Sequence, residues 1–180
     1  ALFDVEITKE SSAADEWSMT NSSEYMAGGI LAGMTGNRAN GIIVDDPVKG
    51  REDAESETIR RKTANAFQDD LLTRLKPGGW VIIVQTRWHQ DDLAGGILPE
   101  DWNGESGDIL CRDGQMWRVI CDSCGSARNC SRVQLSFLAM RPESSSLKPA
   151  SATTGAFAIA LGVMALFSAA RLVMVADTGP

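Results

Sequence analysis

The chain has 180 residues, with 17 Lys/Arg against 24 Asp/Glu and a formal net charge of −7, enough for one α/β domain with a core, or a domain with a tail. The charge is uneven: residues 1–122 hold 12 Lys/Arg and 22 Asp/Glu, a net of −10, and residues 123–180 hold 5 and 2, a net of +3. The acidic part excludes a broad DNA-coating surface, which needs a basic patch, but not a motor that grips DNA through a few residues or partner subunits. The opening Ala1-Leu2-Phe3-Asp4 has neither the basic nor the apolar region of an export signal, so free thiols in a reducing cytoplasm are expected for Cys111, Cys121, Cys124 and Cys130. The first residue is not Met, which suggests a fragment.

In chain order, residues 1–24 are polar, and Gly28, Gly29, Gly33 and Gly36 punctuate a loop-rich stretch. The run Ile42-Ile43-Val44 ending in Asp45-Asp46 predicts a strand over 41–46, buried on both faces as in a parallel sheet. Residues 50–75 read as helix: Glu52, Asp53, Glu55 and Glu57 precede Arg60, Arg61 and Lys62, the charge order a helix dipole favours. Ala64, Phe67, Leu71, Leu72 and Leu75 recur at helical spacing and are expected to face the sheet. Lys76-Pro77-Gly78-Gly79 reads as a stop and turn. A second strand follows over 80–85, so 41–85 forms a strand–helix–strand unit with a parallel crossover. Asp91-Asp92 opens another helix with Asp at its N-cap, and 101–121 reads as hairpin pieces around Asn103-Gly104 and Asp113-Gly114. Residues 122–154 form a Ser-rich irregular linker, and 155–176 a small-residue apolar run, expected as a helix. No internal repeat is visible.

Ligands of open α/β sheets bind outside the carboxyl ends of the strands, and both apolar runs end there in reactive side chains. A strand closing on two carboxylates is a Walker-B arrangement. The first, Asp45, suits Mg²⁺, which takes oxygen ligands and keeps several waters; the second, Asp46, suits orienting or deprotonating a water that attacks a γ-phosphate. The bland alternative is a solvated acidic turn. On the neighbouring strand, Thr86 offers a hydroxyl to a phosphate or its water, and Arg87 offers charge to a transferring phosphoryl group or to a domain interface. His89, the single histidine, reads as a capping or packing residue rather than a catalyst, and Trp88 as core or interface filler. Cys121, Cys124 and Cys130 lack the four-ligand spacing of a structural zinc site.

These residues also carry a resemblance. The stretch Thr35 to Lys49, then Arg51-Glu52-Asp53-Ala54-Glu55-Ser56, Leu71-Leu72-Thr73-Arg74-Leu75 and Thr86-Arg87-Trp88-His89-Gln90-Asp91-Asp92-Leu93-Ala94-Gly95 resembles the ATPase domain of the large terminase subunit of tailed bacteriophages. Asp15-Glu16-Trp17 and Gly114-Gln115-Met116-Trp117 are similar to the same family, so the resemblance covers about residues 10–121. It implies an ATP-driven motor that packages viral DNA, with a P-loop-type ATPase core followed by a nuclease, and ATP and Mg²⁺ as cofactors. It further implies double-stranded DNA, portal protein and the terminase small subunit as partners, in the cytoplasm of a bacterial host. Carried over by position, Asp45 is the Mg²⁺ ligand, Asp46 the catalytic carboxylate, and Gln85-Thr86-Arg87 the coupling motif, with Asp46, Thr86 and Arg87 the catalytic set.

Two departures stand out. Nothing in residues 1–40 reads as a Gly-rich loop with its Lys, and residues 123–180 hold only Glu143 and Asp177 as acids, too few for a two-metal nuclease. The expectation is therefore a partial α/β P-loop-type ATPase core over 1–121, with a parallel sheet and no phosphate-binding loop, plus an irregular and helical tail, inactive by itself. The change of character after Cys121 reads first as a frame or junction change, second as a buried helix, and third as a membrane helix. The competing functions are another P-loop-like motor, such as a helicase with an acidic Walker B, and a non-enzymatic membrane-anchored or partner-binding remnant.

Overall fold

A computed structural model describes residues 6–13, 15–32, 36–121, 135–140 and 171–177. They form one nine-stranded mixed sheet with helices on one face. The first three strands, β1 (Ile7–Ser12), β2 (Glu16–Met19) and β3 (Ser23–Gly28), make an antiparallel meander. Then come β4 (Ala39–Asp45), helices α1 (Arg51–Glu55) and α2 (Glu57–Asn65), β5 (Leu75–Thr86) and helix α3 (Leu93–Ile97). The strands β6 (Gly107–Leu110), β7 (Met116–Cys121), β8 (Leu135–Met140) and β9 (Arg171–Asp177) complete the sheet, in the order β1-β2-β3-β9-β4-β5-β8-β7-β6.

The predicted strand–helix–strand unit is present. β4 and β5 pair in parallel with Ile42 opposite Val81 and Val44 opposite Ile83. Both strands are buried on both faces, as their β-branched runs require. Alternation assigns Ile42, Val44, Val81 and Ile83 to the face covered by Phe67, Leu71, Leu93, Ala94 and Ile97. Ile43, Ile82 and Val84 belong to the other face and are also buried.

The expected parallel sheet is corrected in one respect. β4–β5 is the single parallel pair among the described residues; β9 on one side and β8 on the other run antiparallel to them. The tail supplies both flanking strands. The Ser-rich 122–154 stretch contains β8, and residues 171–177 of the apolar segment are strand, not helix. The rest of both stretches, including 155–170, lies outside the described residues. The β-branched Val173 and Val175, at alternate positions, favour a strand at its end. No helix among the described residues is long and apolar enough to cross a membrane.

The predicted helix over 50–75 is broken. α1 stops at Ser56, whose extended backbone (φ −76°, ψ 109°) lets its hydroxyl cap α2 by accepting from the Ile59 N–H at 3.4 Å. After Asn65 the chain widens into a π turn, Ala66–Leu71, and closes in a 3₁₀ turn, Leu72–Arg74. Thr63, Ala66, Phe67 and Leu71 end up buried, while Ala64, Leu72 and Leu75 lie at the margin. The stretch Lys76-Pro77-Gly78-Gly79, expected as a turn before a strand at 80–85, instead lies inside β5, which begins at Leu75, as a bulge. While β4 advances from Ala39 to Gly41, β5 advances from Leu75 to Trp80, with Gly78 at φ 78°. Trp80 then lies flat over Gly41, where a side chain would strike the indole ring. The expected hairpin is β6–β7, turned at Asp113-Gly114, with Gly114 at φ 75°.

Candidate functional site

The carboxyl ends of β4 and β5 lie side by side, because Asp45 is in register with Val84. The Asp46 N–H donates to the Val84 carbonyl at 2.9 Å, extending the pairing one residue past β4. Asp46 then leaves the strand at φ 38°. That conformation is uncommon for a residue with a side chain, and the following Pro47 favours an extended neighbour instead. Strain of this kind persists only where surrounding contacts hold it. Here the holding contact is the Thr86 N–H, which donates to Asp46 Oδ1 at 2.9 Å. The bond ties the tip of one strand to the tip of the other.

Alternation separates the two carboxylates. Asp45 continues the Ile43 face, and Asp46 opens onto the helix-covered side. A shallow pocket there is lined by Asp46, Pro47, Val48, Ala54, Gln85, Thr86, Trp88 and Asp92. Asp45 does not line it. Burial, and secondarily the charge of Asp46, pushes the Asp45 carboxyl up to about 6. A cation beside Asp45 offsets both effects.

Arg87 has a different placement from the pocket-lining groups. Its Nε lies 2.8 Å from the carboxylate of Asp92, which is 5% exposed, and its Nη2 donates to the Gln90 carbonyl at 3.0 Å. Asp92 Oδ1 in turn accepts the Gly95 N–H at 3.0 Å and caps α3, as the Asp91-Asp92 signal predicts. Gly95 has to be glycine: a Cβ would run into the Gln90 carbonyl oxygen and approach Arg87 Nη2. His89 Nδ1 accepts the Asp91 N–H at 3.0 Å, a capping role within this loop. The segment Arg87 to Gly95 is therefore a tied loop that sets Trp88 against the pocket.

The structure thus brings Asp46 and Thr86 together, puts Asp45 beside them on the opposite face, and engages Arg87 behind the pocket. Sequence reasoning did not single out Gln85 as a lining residue. Its signal was a polar side chain closing the apolar run Val81-Ile82-Ile83-Val84. Cys111 is buried and free, its thiol pushed up to about 11 by burial and then by Asp113. The side chain of Cys121, and Cys124 and Cys130 entirely, lie outside the described residues.

No group of three or more His, Cys, Asp and Glu side chains converges among the described residues. Mg²⁺ does not require one, since one or two carboxylates with substrate phosphates and waters suffice. Asp45 by itself suits that modest donor set, since Asp46 opens onto the other face of the sheet. A phosphate cradle is another matter: the glycine-rich stretch before β4 carries no lysine. The residues present fit the metal and not the triphosphate.

A mixed α/β sheet with acidic groups at the carboxyl ends of its one parallel pair defines the class: an α/β protein with a strand-end site. The chain belongs to the family described as terminase large subunit, T4likevirus-type, N-terminal, whose profile matches residues 2–155. The match reaches past the 10–121 stretch that carries the recognisable motifs, and takes in β8. No curated protein and no solved structure matches the chain.

Proposed function

We propose that this chain is part of the ATP-driven motor that packages viral DNA, contributing the Walker-B and coupling elements of a P-loop-type ATPase core. The supporting observation is the bond from the Thr86 N–H to Asp46 Oδ1 across the tips of a parallel strand pair. In this reading Asp45 holds Mg²⁺, which supplies charge neutralisation for a phosphoryl group when bound. Asp46 orients or deprotonates the attacking water. Thr86 feels any movement of Asp46 through its own backbone, and so passes the state of the site to β5. Arg87 must leave Asp92 to reach a phosphoryl group, so its role in the state described is to fix the loop that carries Trp88. Double-stranded DNA, portal protein and the small subunit are the partners of this reading, in the cytoplasm of a bacterial host.

Lacking a phosphate cradle, the chain alone is expected to bind Mg²⁺ weakly and to release no phosphate from ATP above background. Robust magnesium-dependent turnover by the purified chain refutes that inactivity. The enzymatic reading itself is tested in a motor that includes a Lys-containing Gly-rich loop. There Asp46→Asn should abolish hydrolysis, while its remaining carbonyl oxygen still accepts from Thr86. Unchanged turnover in that variant removes Asp46 from the chemistry.

A further inference from the structure

An Asn or Asp followed by Gly is a place where the main chain can attack its own side chain, because the Gly nitrogen has no side chain to shield it. The sequence holds three such pairs: Asn40-Gly41, Asn103-Gly104 and Asp113-Gly114. The attacking nitrogen must first lose its proton, so an N–H that already donates a hydrogen bond is protected. Gly41 is buried in β4, which has β5 on one side and β9 on the other, so its N–H meets a paired strand whichever way it points. The Gly114 N–H donates to the Cys111 carbonyl at 3.0 Å. Its neighbour is also pinned: Asp113 Oδ2 accepts the Trp117 indole N–H at 2.9 Å. Gly104 differs from both. It lies in the exposed connector between α3 and β6, at φ 92°, and its N–H has no partner among the described residues. Asn103 is exposed, and its Oδ1 accepts the Glu105 N–H at 3.0 Å. That turn curls the Asn103 amide over the Gly104 peptide. The same donor faces the oxygen on which negative charge develops when the amide is attacked.

We propose that Asn103 is a self-modification site, where the chain deamidates itself with water as the only co-reactant. The deprotonated Gly104 nitrogen bonds to Asn103 Cγ. The Cγ–Nδ2 bond breaks and ammonia leaves, carrying a proton from solvent, so that a succinimide remains. Water then opens the ring. Cleavage of its bond to Cγ gives aspartate, and cleavage of its bond to the main-chain carbonyl carbon gives isoaspartate. Either product adds a carboxylate between Asp101 and Glu105. Isoaspartate also inserts a methylene into the main chain, in a turn that the bond from Trp102 Nε1 to the Glu105 carbonyl, 3.1 Å long, helps to hold. Asn40 and Asp113 carry the same local sequence and are spared by their hydrogen bonds.

The test incubates the full chain, folded and in concentrated urea, at neutral and mildly alkaline pH. Peptide mass spectrometry reads deamidation as a gain of about 1 Da, and enzymatic methylation of the isoaspartyl carboxylate reads the rearranged product. Exposing a central strand such as β4 requires a rare opening, so in the folded chain Asn103 should react at least about tenfold faster than Asn40. The Asn103 rate should rise with pH, and urea should bring the two positions together. Equal rates in the folded chain overturn the proposal, as does an Asn103 that keeps its amide when folded and loses it in urea. In Asn103→Gln the methylation signal of the folded chain should disappear; an undiminished signal overturns the assignment to this site.

Discussion

Asp45→Asn gives the most direct test of the strand-end electrostatics. In the folded chain the Asp45 carboxyl sits at about 6, against 3.8 in the absence of structure, because burial and the Asp46 charge disfavour its ionised form. The native state therefore holds this proton more tightly than the unfolded state does. Stability from this residue is fully present below about pH 4 and is lost as pH rises through 6. A shift of this size corresponds to about 3 kcal/mol if wholly expressed, and partial solvent access at the strand end reduces it to about 1–2 kcal/mol. For a chain of this length that is roughly 2–8 °C in Tm. Thermal melts from pH 4 to pH 8 should show Asp45→Asn and wild type converging at the acid end. The variant should become the more stable of the two above pH 6. Mg²⁺ at pH 8 should raise the wild-type Tm and leave the variant unmoved. A Tm difference that does not change with pH would falsify the account of Asp45, and equal Mg²⁺ responses would remove it as a metal ligand.

Three further substitutions probe the supports of the site. Arg87→Ala strands the buried Asp92 carboxylate and should cost about 2–4 kcal/mol in urea unfolding; Arg87→Lys should recover only part, since it lacks the planar fork that reaches both Asp92 and the Gln90 carbonyl. Gly95→Ala should destabilise by a few kcal/mol through collision with the Gln90 carbonyl. Gly96→Ala, one residue on and facing open space, should be neutral or gain about 0.5–1 kcal/mol; equal effects at the two positions would contradict the tied loop. Asp113→Ala removes the acceptor 2.9 Å from the indole N–H of the fully buried Trp117 and should cost about 1–2 kcal/mol by equilibrium unfolding.

Sequence alone reveals the elements whose signals are local. The runs ending at Asp46 and Thr86 are short, β-branched and abruptly terminated, so both strands and the side chains that close them are legible. The Asp92 cap is equally local. What fails is whatever depends on partners distant in the chain. β8 and β9 lie in Ser-rich and Ala-rich surroundings, and nothing nearby says that they flank the parallel pair. The π turn over Ala66–Leu71 interrupts the 3.6-residue period, and helical spacing in the sequence does not show it. In the site, the carboxylates are visible as a pair, but their opposite faces follow only once the strand is known to continue through Asp45. Arg87 looks like free positive charge until the loop folds Asp92 back onto it. The link from Thr86 to Asp46 spans forty positions and exists only because the crossover sets that register.

The position of β9 has a consequence for how the protein is made. It lies between β3 and β4, pairing Tyr25 on one side and Gly41 on the other with the same residue, Val175. The two halves of the sheet are therefore joined by the strand that comes last in chain order among the described residues. Until it arrives, β3 and β4 both present open edges, and open edges recruit strands from other chains. Closing so long a span costs little more in equilibrium entropy than closing a short one, but it slows folding. A ribosome that stops before residue 171 releases a protein with two adhesive borders instead of one continuous sheet.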